Sequence, residues 1–245
     1  MTAPILKVSR VGKRFGGFVA LEDIDLDVAQ GERLGLIGPN GSGKSTLVNC
    51  ICGTLYNETG TVTFDGQAMN GMVAHQRTRL GLARSFQLPR PFGSMSVADN
   101  IRVPLLYTVA ARSGQHLSSS ELDDRCHELL KLVMLEAKAT HNIQDLTQVE
   151  QRKLELARAV AAEPKLLIAD ESMAGLSGSE VEDIVALLKR LNERGITIIM
   201  IEHIMRAVMA FSQRLVVLVS GKKIADGDPQ TVVQDPEVVR AYLGQ

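Results

Sequence analysis

Gly38-Pro39-Asn40-Gly41-Ser42-Gly43-Lys44-Ser45, with Thr46 after it, decides the fold. The stretch has the form G-x-x-x-x-G-K-[ST], between an apolar run at 33–37 that reads as a buried strand and a segment from Lys44 onward that reads as a helix. Glycines let backbone N–H groups converge on phosphate oxygens without side chains in the way. The helix N-terminus adds partial positive charge. Lys44 supplies a cation for the β- and γ-phosphates, and Ser45 a hydroxyl for Mg²⁺. The pattern predicts a nucleoside triphosphate site, but alone it fits kinases, GTPases and transport ATPases equally.

Outward from this loop, strand and helix signals alternate. Residues 5–8, 24–28 and 61–64 read as strands, the last ended by the turn pair Asp65-Gly66. From 94 to 163 helical signals dominate. Ser118 with Glu121, or Ser120 with Asp123, offers a capping box before Leu122, Cys126, Leu129, Leu130 and Val133, which recur at helical spacing. The run at 166–169 is apolar throughout, as a central parallel strand requires. Ser177 and Glu180 then open a helix whose stripe is Val181, Ile184, Val185, Leu188 and Leu191, with Gly195 placed to end it. Residues 197–201 and 215–219 complete the strands. An α/β sheet core interrupted by a helical insertion is expected.

Leu166-Leu167-Ile168-Ala169-Asp170-Glu171 puts two acids at the end of a buried strand, where a parallel sheet opens onto its ligand crevice. Asp170 is placed to hold Mg²⁺, directly or through water, and Glu171 to polarise an attacking water. His203, just past another strand, is placed to meet a γ-phosphate; a lone histidine is otherwise structural or merely exposed.

Composition closes off other classes. The 245 residues carry a net charge of −1, so no broad basic field points to nucleic acid. No apolar run approaches the roughly 18 residues needed to cross a bilayer, and the N-terminus lacks the apolar stretch of a secretory signal. A cytoplasmic location is the expectation. Cys50, Cys52 and Cys126 have neither zinc nor redox spacing and read as core residues.

Taken together, these features resemble the nucleotide-binding domain of ATP-binding-cassette (ABC) transporters, over nearly the whole chain. Residues 38–46 resemble the family's Walker A, Asp170 and Glu171 its Walker B aspartate and catalytic glutamate, and His203 its switch histidine. Phe15 sits where an aromatic stacks on adenine. Gln87, in Ala83-Arg84-Ser85-Phe86-Gln87, resembles the Q-loop glutamine that meets Mg²⁺ and the membrane partner. The resemblance implies a P-loop NTPase (RecA-like) core with an antiparallel β subdomain and an inserted α-helical subdomain. The expected division is core and β subdomain over 1–93 and 164–227, helices over 94–163 and a helical tail over 228–245.

It also implies ATP and Mg²⁺ as ligands, a second ATPase subunit (a copy of this chain or a relative), membrane permease subunits, indirectly a solute-binding protein, and a place on the cytoplasmic membrane face. Residues 81–87, Ala174-Gly175-Leu176 and the ending 239–244 are similar to branched-chain amino acid importers. Urea importers and the lipopolysaccharide-export ATPase share parts of the pattern. One departure stands out. Where the family signature reads Leu-Ser-Gly-Gly-Gln, this chain has Leu146-Thr147-Gln148-Val149-Glu150. Thr147 keeps a hydroxyl, but Gln148 and Val149 replace small residues that let backbone approach the opposite subunit's γ-phosphate. Ser172 replaces a proline, and Ser177 stands in the D-loop. Either the site this segment completes is weak, even leaving a regulatory nucleotide binder, or the altered signature still works.

Overall fold

The computed structural model describes residues 3–86, 90–109, 112, 114 and 117–243. In chain order the principal elements are β1 (Leu6–Phe15), β2 (Phe18–Val28), β3 (Arg33–Ile37), α1 (Lys44–Cys52), β4 (Thr59–Phe64), β5 (Gln67–Ala68), α2 (Ala74–Leu80) and β6 (Leu82–Ser85). There follow α3 (Val97–Pro104), α4 (Ser119–Leu132), α5 (Gln148–Val160), β7 (Leu166–Asp170), α6 (Gly178–Glu193), β8 (Thr197–Ile201) and α7 (Met205–Phe211). The chain ends in β9 (Arg214–Val219), β10 (Lys222–Gly227), α8 (Pro229–Val232) and α9 (Pro236–Leu243).

Two sheets form. One is antiparallel, in the order β2-β1-β4-β5; the other runs β10-β9-β3-β8-β7-β6, parallel except for β10. Register aligns the strand ends that matter. Ile201 is opposite both Leu36 and Asp170, so the chain leaves β3, β8 and β7 at one level of one edge. The uniform apolarity of β7 has its cause here. Leu166 and Ile168 enter the core shared with α1 and the antiparallel sheet, while Leu167 and Ala169 enter the core shared with α3 to α6.

The signals at 5–8 and 24–28 catch only the ends of β1 and β2. Register shifts between Val8 and Val11 and between Val11 and Lys13, with Arg10 and Asp23 at positive φ, break the alternation that would have marked these strands. Of the two capping boxes at 118–123, Ser118 with Glu121 forms: Ser118 Oγ accepts the Glu121 N–H, and Glu121 Oε2 accepts the Ser118 N–H at 2.9 Å. All three cysteines are buried thiols, as the spacing implies. Burial pushes Cys50 up to about 11 and Cys52 to about 12, so neither is a reactive thiolate.

Arg77 of α2 is the unexpected core residue, 1% exposed. Its guanidinium donates to the carbonyls of Cys50, Ile51 and Met69 at 2.7–2.8 Å, and Nε to that of Met72 at 3.0 Å. It thus ties down the last turn of α1, where carbonyls lack helical partners and a cation is favoured. No helix of the described residues is long and apolar enough to cross a membrane.

Candidate nucleotide site

The loop between β3 and α1 is built around glycines that tolerate nothing larger. A Cβ on Gly38 would lie 2.1 Å from the Leu218 carbonyl oxygen; one on Gly43 would lie 2.7 Å from that of Ala20, at φ 102°. Gly43 opens α1 in a left-handed conformation with no side-chain cap, and no acid occupies the first turn. The first N–H groups of α1 therefore face the crevice without a side chain of their own to satisfy them. Lys44 Nζ folds back onto the carbonyls of Gly38 (2.7 Å) and Pro39 (3.0 Å) and lies 3.3 Å from Ser42 Oγ. Partial burial holds its pKa below the usual lysine value, against the charges of Glu171 and Asp170.

A cavity of about 220 Å³ is lined by Asn40, Gly41, Ser42, Gly43, Lys44, Ser45, Thr46 and Glu171, with Phe15, Phe18 and Ala20 at one side. The loop and one Walker-B-like acid are thus together. Phe15 and Phe18 are 50% and 63% exposed at the β1–β2 turn, a large apolar face left in water beside a phosphate cradle. Phe18 had no distinguishing signal beyond its closeness to Phe15. Glu171 adopts φ 44° and donates its N–H to Ile201 O at 2.9 Å. A non-glycine residue held in this left-handed region costs about 1–3 kcal/mol, a cost that Arg10, Asp23 and four other described residues also carry.

Asp170, 7% exposed, is held behind the cavity by Arg84. Arg84 Nη2 and Nε donate to Asp170 Oδ2 at 2.5 and 3.2 Å. His203 follows β8 and is exposed; it does not line the cavity. Its neighbour Glu202 is 2% exposed and accepts the Met173 N–H at 2.9 Å, tying the turn after β8 to the turn after β7. Burial drives the Glu202 carboxyl up to about 7; the negative charges of Glu171 and Asp170 add to it, against hydrogen bonds from the Met173 and His203 backbone. Gln87 lies outside the described residues.

The segment at 147–150 opens α5, and none of its residues lines this cavity. Thr147 Oγ1 accepts the Glu150 N–H at 3.4 Å, and Glu150 Oε2 accepts the Thr147 N–H at 2.8 Å and a bond from Lys138 Nζ at 2.7 Å. Val149, rather than standing free, packs half-buried on the helical core. The Gln148 amide lies over Gly175, where an added Cβ would come within 2.8 Å of Nε2. Ser177 is exposed at the start of α6 and donates its N–H to Glu180 at 2.8 Å.

A phosphate cradle, an acid facing it and a second acid immediately before that one at the end of β7 can bind and split a phosphoanhydride. A family model described as ABC transporter matches residues 21–174. The chain belongs to the ABC transporter family. A second model, for the branched-chain amino acid ATP-binding cassette transporter, matches residues 222–245 of this ABC subunit. The high-affinity branched-chain amino acid transport ATP-binding protein BraF of Pseudomonas aeruginosa is 35% identical over 100% of both chains. Among solved structures, the ADP conformation of an ATP-binding cassette of an ABC transporter superposes with a TM-score of 0.87 at 28% identity, covering 100% of each chain. A dimeric post-hydrolysis cassette bound to ADP and Pi gives a TM-score of 0.81 at 27% identity, over 91% of this chain and 98% of that one. The fold expected from the sequence is the one found, and the protein is the ATP-binding, ATP-hydrolysing subunit of an ABC transporter.

Proposed function

We propose that this subunit powers import of branched-chain amino acids from the cytoplasmic membrane face, as one of two ATPase subunits on a pair of permease subunits fed by a solute-binding protein. The observation that carries the catalytic part is the single cavity shared by the 38–46 loop and Glu171. Lys44 neutralises the β- and γ-phosphates and Phe15 stacks on the adenine. Glu171 orients or deprotonates the water that attacks the γ-phosphorus. The bond from that phosphorus to the bridging oxygen breaks, ADP leaves with that oxygen, and the water proton passes towards Glu171. His203 would reach the γ-phosphate on closure.

The donor set suits Mg²⁺. Ser45 and Asp170, with Gln87, offer hard oxygens and leave room for water and phosphate. When bound, the ion would neutralise charge on the bridging phosphates.

The amino acid assignment draws on the ending that matches the branched-chain model and on the likeness to BraF. The force-transmitting surface is assigned to a groove of about 350 Å³ lined by Phe86, Phe92, Pro104, Tyr107 and Arg158, between the strand edge at β6 and the helical arm at 94–163. Its exposed aromatics suit a short cytoplasmic helix of a permease.

Purification from native membranes in mild detergent tests the reading. Permease subunits should co-purify, and ATP turnover in vesicles should rise with leucine or isoleucine and a solute-binding protein outside. Recovery of the chain alone, or coupling to an unrelated solute only, rejects it.

A further inference from the structure

Arg84 is unassigned by the reading above, yet its guanidinium joins three parts of the nucleotide site. Nε and Nη2 both bond Asp170 Oδ2, at the end of β7, and Nη1 donates to Asn49 Oδ1, on α1, at 2.7 Å. Arg84 itself lies on β6, three residues before Gln87, and its guanidinium sits 5.3 Å from the centroid of the Phe86 ring. The Arg84 and Asp170 side chains are only 15% and 10% exposed. A carboxylate so placed needs a counter-charge at all times, because burying an unpaired charge is far costlier than burying a pair.

We infer that Arg84 is the internal counter-ion of Asp170, a positioning residue that neutralises this carboxylate while the site is empty and competes with the divalent cation for it. The inference rests on the reading of Asp170 as a magnesium holder. Both site cations have partners within the chain: Lys44 the carbonyls of its own loop, Arg84 the Asp170 carboxylate. Two cations on one carboxylate repel each other, so cation binding at Asp170 weakens the Arg84 contact. Because Arg84 is continuous with the segment leading to Gln87, the charge state of the site then reaches the proposed permease groove, which Arg84 and Phe86 also line. The two fork nitrogens share one oxygen, so the competition is electrostatic and leaves Oδ1 outside the pair.

The test is calorimetric binding of ADP to the full chain across a Mg²⁺ titration, with nucleotide-free melting measured in parallel. Arg84→Met should lower the Mg²⁺ concentration for half-maximal ADP binding about tenfold, one unit of log affinity for one displaced charge, and should lower the nucleotide-free Tm. Arg84→Lys, which keeps the charge without the fork, should move both in the same directions by less, and it carries the test if the Met variant does not fold. In an Asp170→Asn background neither Arg84 substitution should change the Mg²⁺ requirement. An unchanged or raised Mg²⁺ requirement in Arg84→Met, or in Arg84→Lys where only that variant folds, overturns the inference. If Asp170→Asn itself leaves the requirement unchanged, it is the magnesium reading of Asp170 that falls.

Discussion

The loop at 38–46 and the segment at 147–150 each deliver the N-terminus of a helix, but the two ends are left in opposite states. α1 begins at a left-handed glycine, with no side-chain cap and no acid in its first turn. α5 begins with Thr147 and Glu150 closed on each other in a capping box, and Lys138 holds Glu150 from outside. The pKa of Glu150 is low: burial works against ionisation, but hydrogen bonds from Lys138 and Thr147 outweigh it. One helix end is open to a phosphate; the other is already answered by its own carboxylate. A bare helix N-terminus can take an external anion, whereas a capped one has satisfied part of that demand and added a negative charge.

The largest expected effect comes from the open side. Glu171→Gln should lower ATP turnover by at least about 100-fold while ATP binding persists, since it removes a proton acceptor and leaves the cradle intact. Turnover in the assembled transporter and binding of a fluorescent ATP analogue measure the two separately. Retained turnover would mean that the cavity shared with the 38–46 loop is not where hydrolysis occurs.

α1 can be loosened from its far end. Arg77→Met leaves several buried carbonyls unpaired, and should cost about 3 kcal/mol of stability. Urea unfolding reads this directly, and nucleotide affinity should fall as α1 frays. Unchanged nucleotide affinity in Arg77→Met would show that the open N-terminus does not depend on a pinned C-terminus.

Glu202 offers a comparison in pH. Its carboxyl is raised from an ordinary 4.5 to about 7 in the fold. The native state therefore keeps a proton that the unfolded chain loses near 4.5, and stability falls as pH rises from about 4.5 to 7, then levels. The shift corresponds to about 3 kcal/mol at most. Glu202→Gln should flatten the urea midpoint across that window; a slope equal to wild type would assign the dependence to other groups.

The open helix end was legible in the sequence because phosphate binding demands glycine, lysine and hydroxyl at fixed offsets, and Gly38 and Gly43 are where backbone crowding forbids a Cβ. Asp170 and Glu171 were legible because a parallel strand's C-terminal end opens onto the ligand crevice, and adjacent acids there suit a divalent cation and a water. Arg77, Arg84 and Glu202 were not legible as buried partners. Each is an ordinary charged residue in the sequence, and its partners lie 5 to 27, 35 to 86 and 29 residues away respectively. Such charges acquire meaning only when the fold brings separate elements together. Phe18 was missed for the opposite reason: an exposed aromatic at a turn matches no period.

The smallest effect lies on the capped side, and it bears most directly on the comparison. Glu150→Gln keeps an acceptor for the Thr147 N–H, as in a Gln-containing capping box, and removes the negative charge beside the helix end. Release of the Lys138 pair should cost no more than about 1 kcal/mol, since Lys138 is about a third exposed. If, as the family resemblance implies, this segment completes the partner's nucleotide site, turnover there should rise a few-fold, because about 0.3–1 kcal/mol is typical for one charge at a helix end. Gln148→Gly with Val149→Gly should add little rate and lose stability, since Val149 packs on the helical core and glycine weakens a first turn. If the glycine pair raises turnover and Glu150→Gln does not, backbone access rather than charge is what the altered signature withholds.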